Sequence, residues 1–324
     1  MLVSVLLFAV GLVLLIKGGD WFVDGATGIA KRFNLPDIVV GATVVSIGTT
    51  LPEVMVSTTG ALAGSGAMAY GNAIGSIICN TALIAAISIT CNPGPVNVKS
   101  MKTPAIFFFC SAAIYCLAAY GLGTFPRWLG FIMLAVFVCY MVLTVRNGMK
   151  NPDAAEEEEE EESKERKLWQ ELLLLVIGAA VIAVGADLLV EHGQVIAIGL
   201  GVPETVVALL FVALGTSLPE LVTTITSLKK GRASLGVGNV IGANVFNLVL
   251  VSGVAVSLAP FDVPCENLLL DTGLNLSLVF DIPVMLGVMS LMIFPALAKK
   301  KLGRWQGIAL LCIYVAFCVC QFML

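Results

Sequence analysis

Long apolar runs separated by short, mostly basic loops dominate the chain. Ten of them have the roughly 20-residue length that crosses a hydrocarbon core about 30 Å thick. They fall near 2–22, 37–61, 67–90, 103–121 and 126–145, and again near 168–190, 202–227, 234–258, 276–298 and 304–323. The predicted fold is therefore an all-α membrane protein of ten transmembrane helices. The first run is long and continuous and lacks a small-residue cleavage site, so it reads as span one and not as a removable signal peptide. Composition agrees: 58% hydrophobic residues, 12% charged and a mean hydropathy of +0.98 over 324 residues place the chain in lipid.

The few polar positions inside these runs are not scattered. Residues 20–80 recur at 187–247 with a constant offset of 167. Asp20 meets Asp187, Pro36 meets Pro203, and Gly48-Thr49-Thr50-Leu51-Pro52-Glu53 meets Gly215-Thr216-Ser217-Leu218-Pro219-Glu220. Gly71-Asn72-Ala73-Ile74-Gly75 meets Gly238-Asn239-Val240-Ile241-Gly242, and Asn80 meets Asn247. The chain thus divides into a first five-helix repeat at 1–148, an acidic linker at 149–167 and a second five-helix repeat at 168–324. Five spans per half is an odd number, so the second copy enters the membrane upside down. An inverted repeat with one carboxylate buried in each half points to a carrier with a single midplane site.

Charge sets the expected orientation. With both termini outside, 16 of the 18 Lys and Arg residues lie on cytoplasmic segments, as the retention of short basic loops requires. Lys17 snorkels from span one and Arg127 stays outside. The linker, with seven consecutive glutamates from Glu156 to Glu162, then lies in the cytoplasm as a solvated, self-repelling segment. The net charge of −4 is largely this run, and no basic patch suggests nucleic acid. The nine cysteines show no C-x-x-C pair or neighbouring histidine and read as apolar packing residues, with Cys265 alone in an outer loop. Asp20, Asp24, Asp187 and Glu191 read as solvated caps near span ends, Asp281 as a helix-entry cap or else a second polar site, and His192 as solvated.

An ionised carboxylate near the bilayer centre costs about 2.5–3.5 kcal/mol, and the core spans hold no Lys or Arg to offset Glu53 and Glu220. The partner is a bound cation or a proton. Pro52 and Pro219 each remove a helix hydrogen bond, freeing the Gly48 and Gly215 carbonyls. With the carbonyls around Ser46 and Ala213 and the hydroxyls of Thr49, Thr50, Thr216 and Ser217, each half offers a set of hard oxygens suited to Ca2+ and Na+. Ser46, Thr49, Thr50 and Glu53 fall on one helical stripe, repeated by Ala213, Thr216, Ser217 and Glu220. In the next span Ser76 and Asn80 are helical neighbours, matched by Ala243 and Asn247. The two G-x-x-x-G spacings read as close helix packing.

At these residues the chain resembles the calcium/cation antiporter superfamily, specifically the short prokaryotic sodium/calcium exchangers. The likeness covers nearly the whole length. Its most specific segments are G-A-T-V-V-S-I-G-T-T-L-P-E, from Gly41 to Glu53, and A-L-G-T-S-L-P-E, from Ala213 to Glu220. The resemblance implies cation sites enclosed by bent helices two and seven with helices three and eight. Glu53 and Glu220 would be shared Ca2+/Na+ ligands, joined by Thr49, Thr50, Thr216 and Ser217 through hydroxyl or carbonyl oxygens, by the Ser46 and Ala213 carbonyls, and by Ser76 and Asn80. It also implies that helices one and six slide across a rigid core.

One departure matters. Ala243 and Asn247 stand where well-studied members carry serine and aspartate, so Asn247 offers an amide oxygen where they have a third carboxylate. The remaining −2 balances one Ca2+, two Na+ or two H+, which makes three-for-one exchange doubtful. The expectation is a Na+/Ca2+ antiporter of a prokaryotic inner membrane, monomeric, contacting Ca2+, Na+ and lipid, with no cofactor and no obligate protein partner. Ca2+/H+ exchange is the alternative, since a buried glutamate without a cation takes up a proton. An intramembrane enzyme is disfavoured because H-E-x-x-H, G-x-S-x-G and span histidines are absent, and a channel because no four-fold filter motif occurs.

Overall fold

A computed structural model describes residues 2–150, 166–200, 215–264, 268–269 and 274–323. Among the described residues, nine helices are long and apolar enough to cross a membrane. They are α1 (Leu2–Arg32), α2 (Asp37–Leu62), α3 (Gly66–Cys91), α4 (Val98–Leu122), α5 (Arg127–Met149), α6 (Leu168–Gly199), α8 (Ala233–Leu258), α9 (Ser277–Lys299) and α10 (Arg304–Met323). Between α6 and α8, α7 (Leu218–Lys229) is the described part of the remaining span. The architecture is two inverted five-helix repeats.

Burial sorts the helices. Within its most apolar stretch α8 is 83% buried, followed by α3 and α2, whereas α1, α5, α6, α9 and α10 turn most of their surface outward. Buried polar side chains such as Asn239, Asn244 and Asn247 on α8 are kept from lipid by neighbours on every side, and α8 has these in α2, α3, α4, α5 and α7. Short antiparallel strand pairs tie the helix ends together. At one end β1 (Gly94–Pro95) pairs with β6 (Lys301–Leu302), and at the other β2 (Thr124–Phe125) pairs with β3 (Phe261–Asp262). β4 (Leu268–Leu269) pairs with β5 (Leu274–Asn275).

Two helices overrun the sequence-based boundaries. α1 continues to Arg32 and not to residue 22, and α6 continues to Gly199 and not to residue 190. The charges expected to end α1 are accommodated within it. Lys230, just past α7, donates to an Asp24 carboxylate oxygen at 2.7 Å and to the Asp20 carbonyl at 3.0 Å, so both aspartates lie inside a helix and not at its cap. Lys31 and Arg32 close the last turn, where cations complement the helix dipole. Arg32 also pairs with Glu171 near the start of α6 at 3.3 Å, and Arg232 binds both carboxylate oxygens of Asp37 at 2.9 and 3.0 Å. All these pairs gather at one end of the bundle.

α1 and α6 pack along their length, with backbone meeting backbone at several glycines. A Cβ at Gly11 would lie 2.9 Å from the Gly185 carbonyl oxygen, one at Gly178 2.6 Å from the Phe22 nitrogen, and one at Gly25 2.6 Å from the Glu171 carbonyl oxygen. Gly11, Gly18 and Gly25 recur every seven residues, as do Gly178 and Gly185, so each helix keeps one glycine seam towards the other.

Candidate functional site

The predicted stripe on α2 is observed. Ser46, Thr49, Thr50 and Glu53 are all buried, while the intervening Ile47 and Leu51 face outward. Pro52 lies inside the continuous helical stretch Ser46–Leu62, where its missing N–H leaves the Gly48 carbonyl without its helical donor. The second copy differs in local form. Thr216 and Ser217 make a turn, and α7 begins at Leu218 with Pro219 in its first turn, a position where proline costs no hydrogen bond. Ser217 and Glu220 are buried and Thr216 half-buried; Ala213 lies outside the described residues.

The two stripes meet: Thr50, one turn before Glu53 on α2, reaches Oε1 of Glu220 on α7 at 3.5 Å. Both glutamates are at 0% exposure. Neither oxygen of Glu53 has a hydrogen-bond partner, nor does Oε2 of Glu220, whose Oε1 accepts a long 3.5 Å bond from the Thr50 hydroxyl. No Lys or Arg among the described residues pairs with either. The described residues also hold no cluster of three His, Cys, Asp or Glu side chains. The chemistry available is a pair of carboxylates edged by hydroxyl and amide oxygens.

Asn80 and Asn247 extend the site. Each is fully buried and each opens a π-helical turn, at Asn80–Ala85 in α3 and Asn247–Val251 in α8, the same point of both repeats. Such widened turns displace backbone carbonyls from the regular ladder and often occur at functional sites. The Asn80 turn packs on α7 and the Asn247 turn on α2. Neither polar atom of the Asn80 amide has a protein partner. Asn247 donates its Nδ2 to the Ala243 carbonyl at 3.1 Å and leaves Oδ1 unpartnered. Ser76 is buried one turn before Asn80.

Helix contacts at the site rest on small residues in one half. A side chain on Gly242 would strike the Ser46 hydroxyl, and one on Gly238 the Ile38 carbonyl, so this G-x-x-x-G spacing does let α8 and α2 touch. At Gly71 and Gly75 nothing among the described residues comes within 4 Å of a Cβ. Asp281 is not the helix-entry cap expected: it makes no cap hydrogen bond, and it accepts instead from Ser277 at 2.9 Å and from Gln321 at 2.6 Å. A carboxylate with two side-chain donors in reach has no need of the backbone.

The sequence reading passed over a second ring of polar groups. Asn239 accepts from Thr49 at 3.1 Å, and Asn72 accepts from Thr216 at 3.3 Å. Tyr140 donates to the Ala42 carbonyl at 2.7 Å within a further π turn, Gly41–Val45. Asn72 and Asn239 had a visible signal, because both are polar residues in apolar helices at equivalent positions of the repeat. Tyr140 had none.

A helical membrane bundle of inverted halves is an architecture of secondary carriers, and the comparisons with known proteins agree. The sequence pattern of the sodium/calcium exchanger protein family matches residues 3–146 and 171–323. The chain belongs to that family. It is 30% identical over 355 residues to the sodium/calcium exchanger MaX1 of Methanosarcina acetivorans, covering 99% of each chain. It is 33% identical over 308 residues to the uncharacterized membrane protein MJ0091 of Methanocaldococcus jannaschii, covering 95% of this chain and 94% of the other. Its fold superimposes on the sodium-calcium exchanger NCX_Mj, soaked with Na+ and Sr2+, with a TM-score of 0.78 at 32% identity over 97% of both chains.

Proposed function

We propose that this exchanger moves Ca2+ against Na+ by alternating access at one site, with Glu53 and Glu220 as ligands shared between the competing cations. The observation that carries the reading is the glutamate pair on two stripes that meet through Thr50, fully buried, with three of four carboxylate oxygens unpartnered and no basic side chain among the described residues paired with them. Thr49, Thr50, Thr216, Ser217, Ser76, Asn80 and Asn247 supply side-chain oxygens around it, and the Ser46 and Ala213 carbonyls complete the set. A bare −2 site is costly to carry past the apolar barrier, so the switch proceeds only when Ca2+ or Na+ neutralises it. The moving body is the α1–α6 pair, whose glycine seam supports motion as a unit. The basic end of the bundle faces the cytoplasm, with both termini outside, and the protein works as a monomer.

Asn247 supports a second reading. With its amide nitrogen held by the Ala243 carbonyl and no third carboxylate, the site balances two protons as readily as two Na+. Calcium uptake into proteoliposomes loaded first with Na+, then with choline, then with choline under an imposed proton gradient separates the two. Uptake that requires internal Na+ supports Na+/Ca2+ exchange; uptake driven by the proton gradient alone replaces it with Ca2+/H+ exchange at the same glutamates.

A further inference from the structure

Thr49 and Thr216 occupy equivalent positions of the two repeats, and so do Asn239 and Asn72. Thr49 on α2 donates its hydroxyl proton to Asn239 Oδ1 on α8 at 3.1 Å. Thr216, just before α7, donates its proton to Asn72 Oδ1 on α3 at 3.3 Å. The same bond is thus made twice, each time from one repeat to the other. We propose that Asn72 and Asn239 are positioning residues that set the affinity of the site by orienting these two hydroxyls across the repeat interface.

The argument starts from the inventory of a hydroxyl, one proton and two lone pairs. A cation needs the lone pairs. A threonine in an apolar helix ordinarily gives its proton to the carbonyl one turn back, as Thr43 does to Val39 at 2.7 Å. At Thr49 and Thr216 an amide oxygen from another helix takes the proton instead, and the hydroxyl oxygen is left free to face a cation. The two amides are held differently. Asn72 donates its nitrogen to the Ser57 hydroxyl at 2.8 Å and to the carbonyl of Glu53 itself at 3.3 Å, which fixes its oxygen towards Thr216. Asn239 is fully buried, and its oxygen also lies 3.2 Å from the Ser46 hydroxyl. Its nitrogen has no partner, so a role in packing alone does not account for a polar side chain here.

Because each clamp spans the two halves, ligand geometry depends on the register of one repeat against the other. The inference rests on the Glu53 and Glu220 site proposed above, and the test separates the two. Equilibrium binding of radioactive calcium is measured on the purified full chain for N239L, T49V and the double variant, and for N72L, T216V and their double variant, with E53Q alongside. Loss of an outer hydrogen bond to a metal ligand typically costs 10- to 100-fold in affinity, so each asparagine variant is expected to weaken calcium binding roughly tenfold or more. Each double variant should be no weaker than its weaker single, since an asparagine acting through its threonine has nothing left to orient.

Additive losses within each pair would overturn the clamp, as would wild-type affinity in N239L and N72L beside a lost signal in E53Q. Wild-type binding in E53Q would overturn the site itself. Asn72 is only part-buried, so its pair decides the matter if N239L does not fold.

Discussion

At the scale of single residues, the two glutamates differ in their surroundings although the sequence copies them. Glu220 has the Thr50 hydroxyl in reach, whereas Glu53 has no side-chain partner. Both are fully buried, so replacing either charge removes half of what would hold a divalent cation. E53Q and E220Q are expected to abolish calcium transport while leaving folded protein in the membrane, checked by proteoliposome uptake beside gel filtration. Robust exchange in both would remove the assignment. Asn247 gives the complementary gain. N247D adds a carboxylate to a site of −2 and removes the hydrogen bond donated to the Ala243 carbonyl, and is expected to steepen the dependence of calcium flux on Na+. An unchanged Na+ response would show that the missing charge does not set coupling.

At the scale of elements, the glycine seam is where a single change should be most disruptive. A side chain at Gly178 would meet backbone atoms of Phe22, which cannot swing aside as a flexible side chain can. Overpacking of this kind costs about 1–3 kcal/mol. G178L should therefore lower the thermal unfolding midpoint and slow transport, while G287A, with nothing within 4 Å of the added carbon, should lower neither. The seam also marks where sequence reasoning reached and where it stopped. The span pattern, the 167-residue repeat and the α2 stripe were legible because apolar length and helical spacing are local properties. The end of α1 was not: Asp20 and Asp24 look like stop signals until Lys230, more than 200 residues away, is placed beside them. Nor were the hydroxyl partners Asn72 and Asn239, since the repeat displays the residues but not which helix each one meets. Asp281 was misjudged for the same reason, its donor Gln321 lying on another helix.

At the scale of the whole molecule, the proposed orientation makes a plain claim. An alkaline phosphatase domain fused after residue 324 should be active, and a green fluorescent protein there should stay dark, because both depend on which side the terminus occupies; the opposite pair of results would invert the bundle. The long helices have a further consequence. At about 1.5 Å per residue, the 31 residues of α1 and 32 of α6 extend some 46–48 Å, against a hydrocarbon layer of about 30 Å. Helices of that length tilt or protrude, and the amount follows bilayer thickness. Their outward faces expose Leu6, Val10, Val13, Leu172, Val176 and Val184, the apolar surface that would meet acyl chains. The body proposed to move is therefore the one the lipid grips, and the membrane becomes a mechanical load on the transport cycle. Turnover in vesicles of graded acyl-chain length should pass through an optimum, while calcium affinity, set in the interior of the bundle, should not follow it.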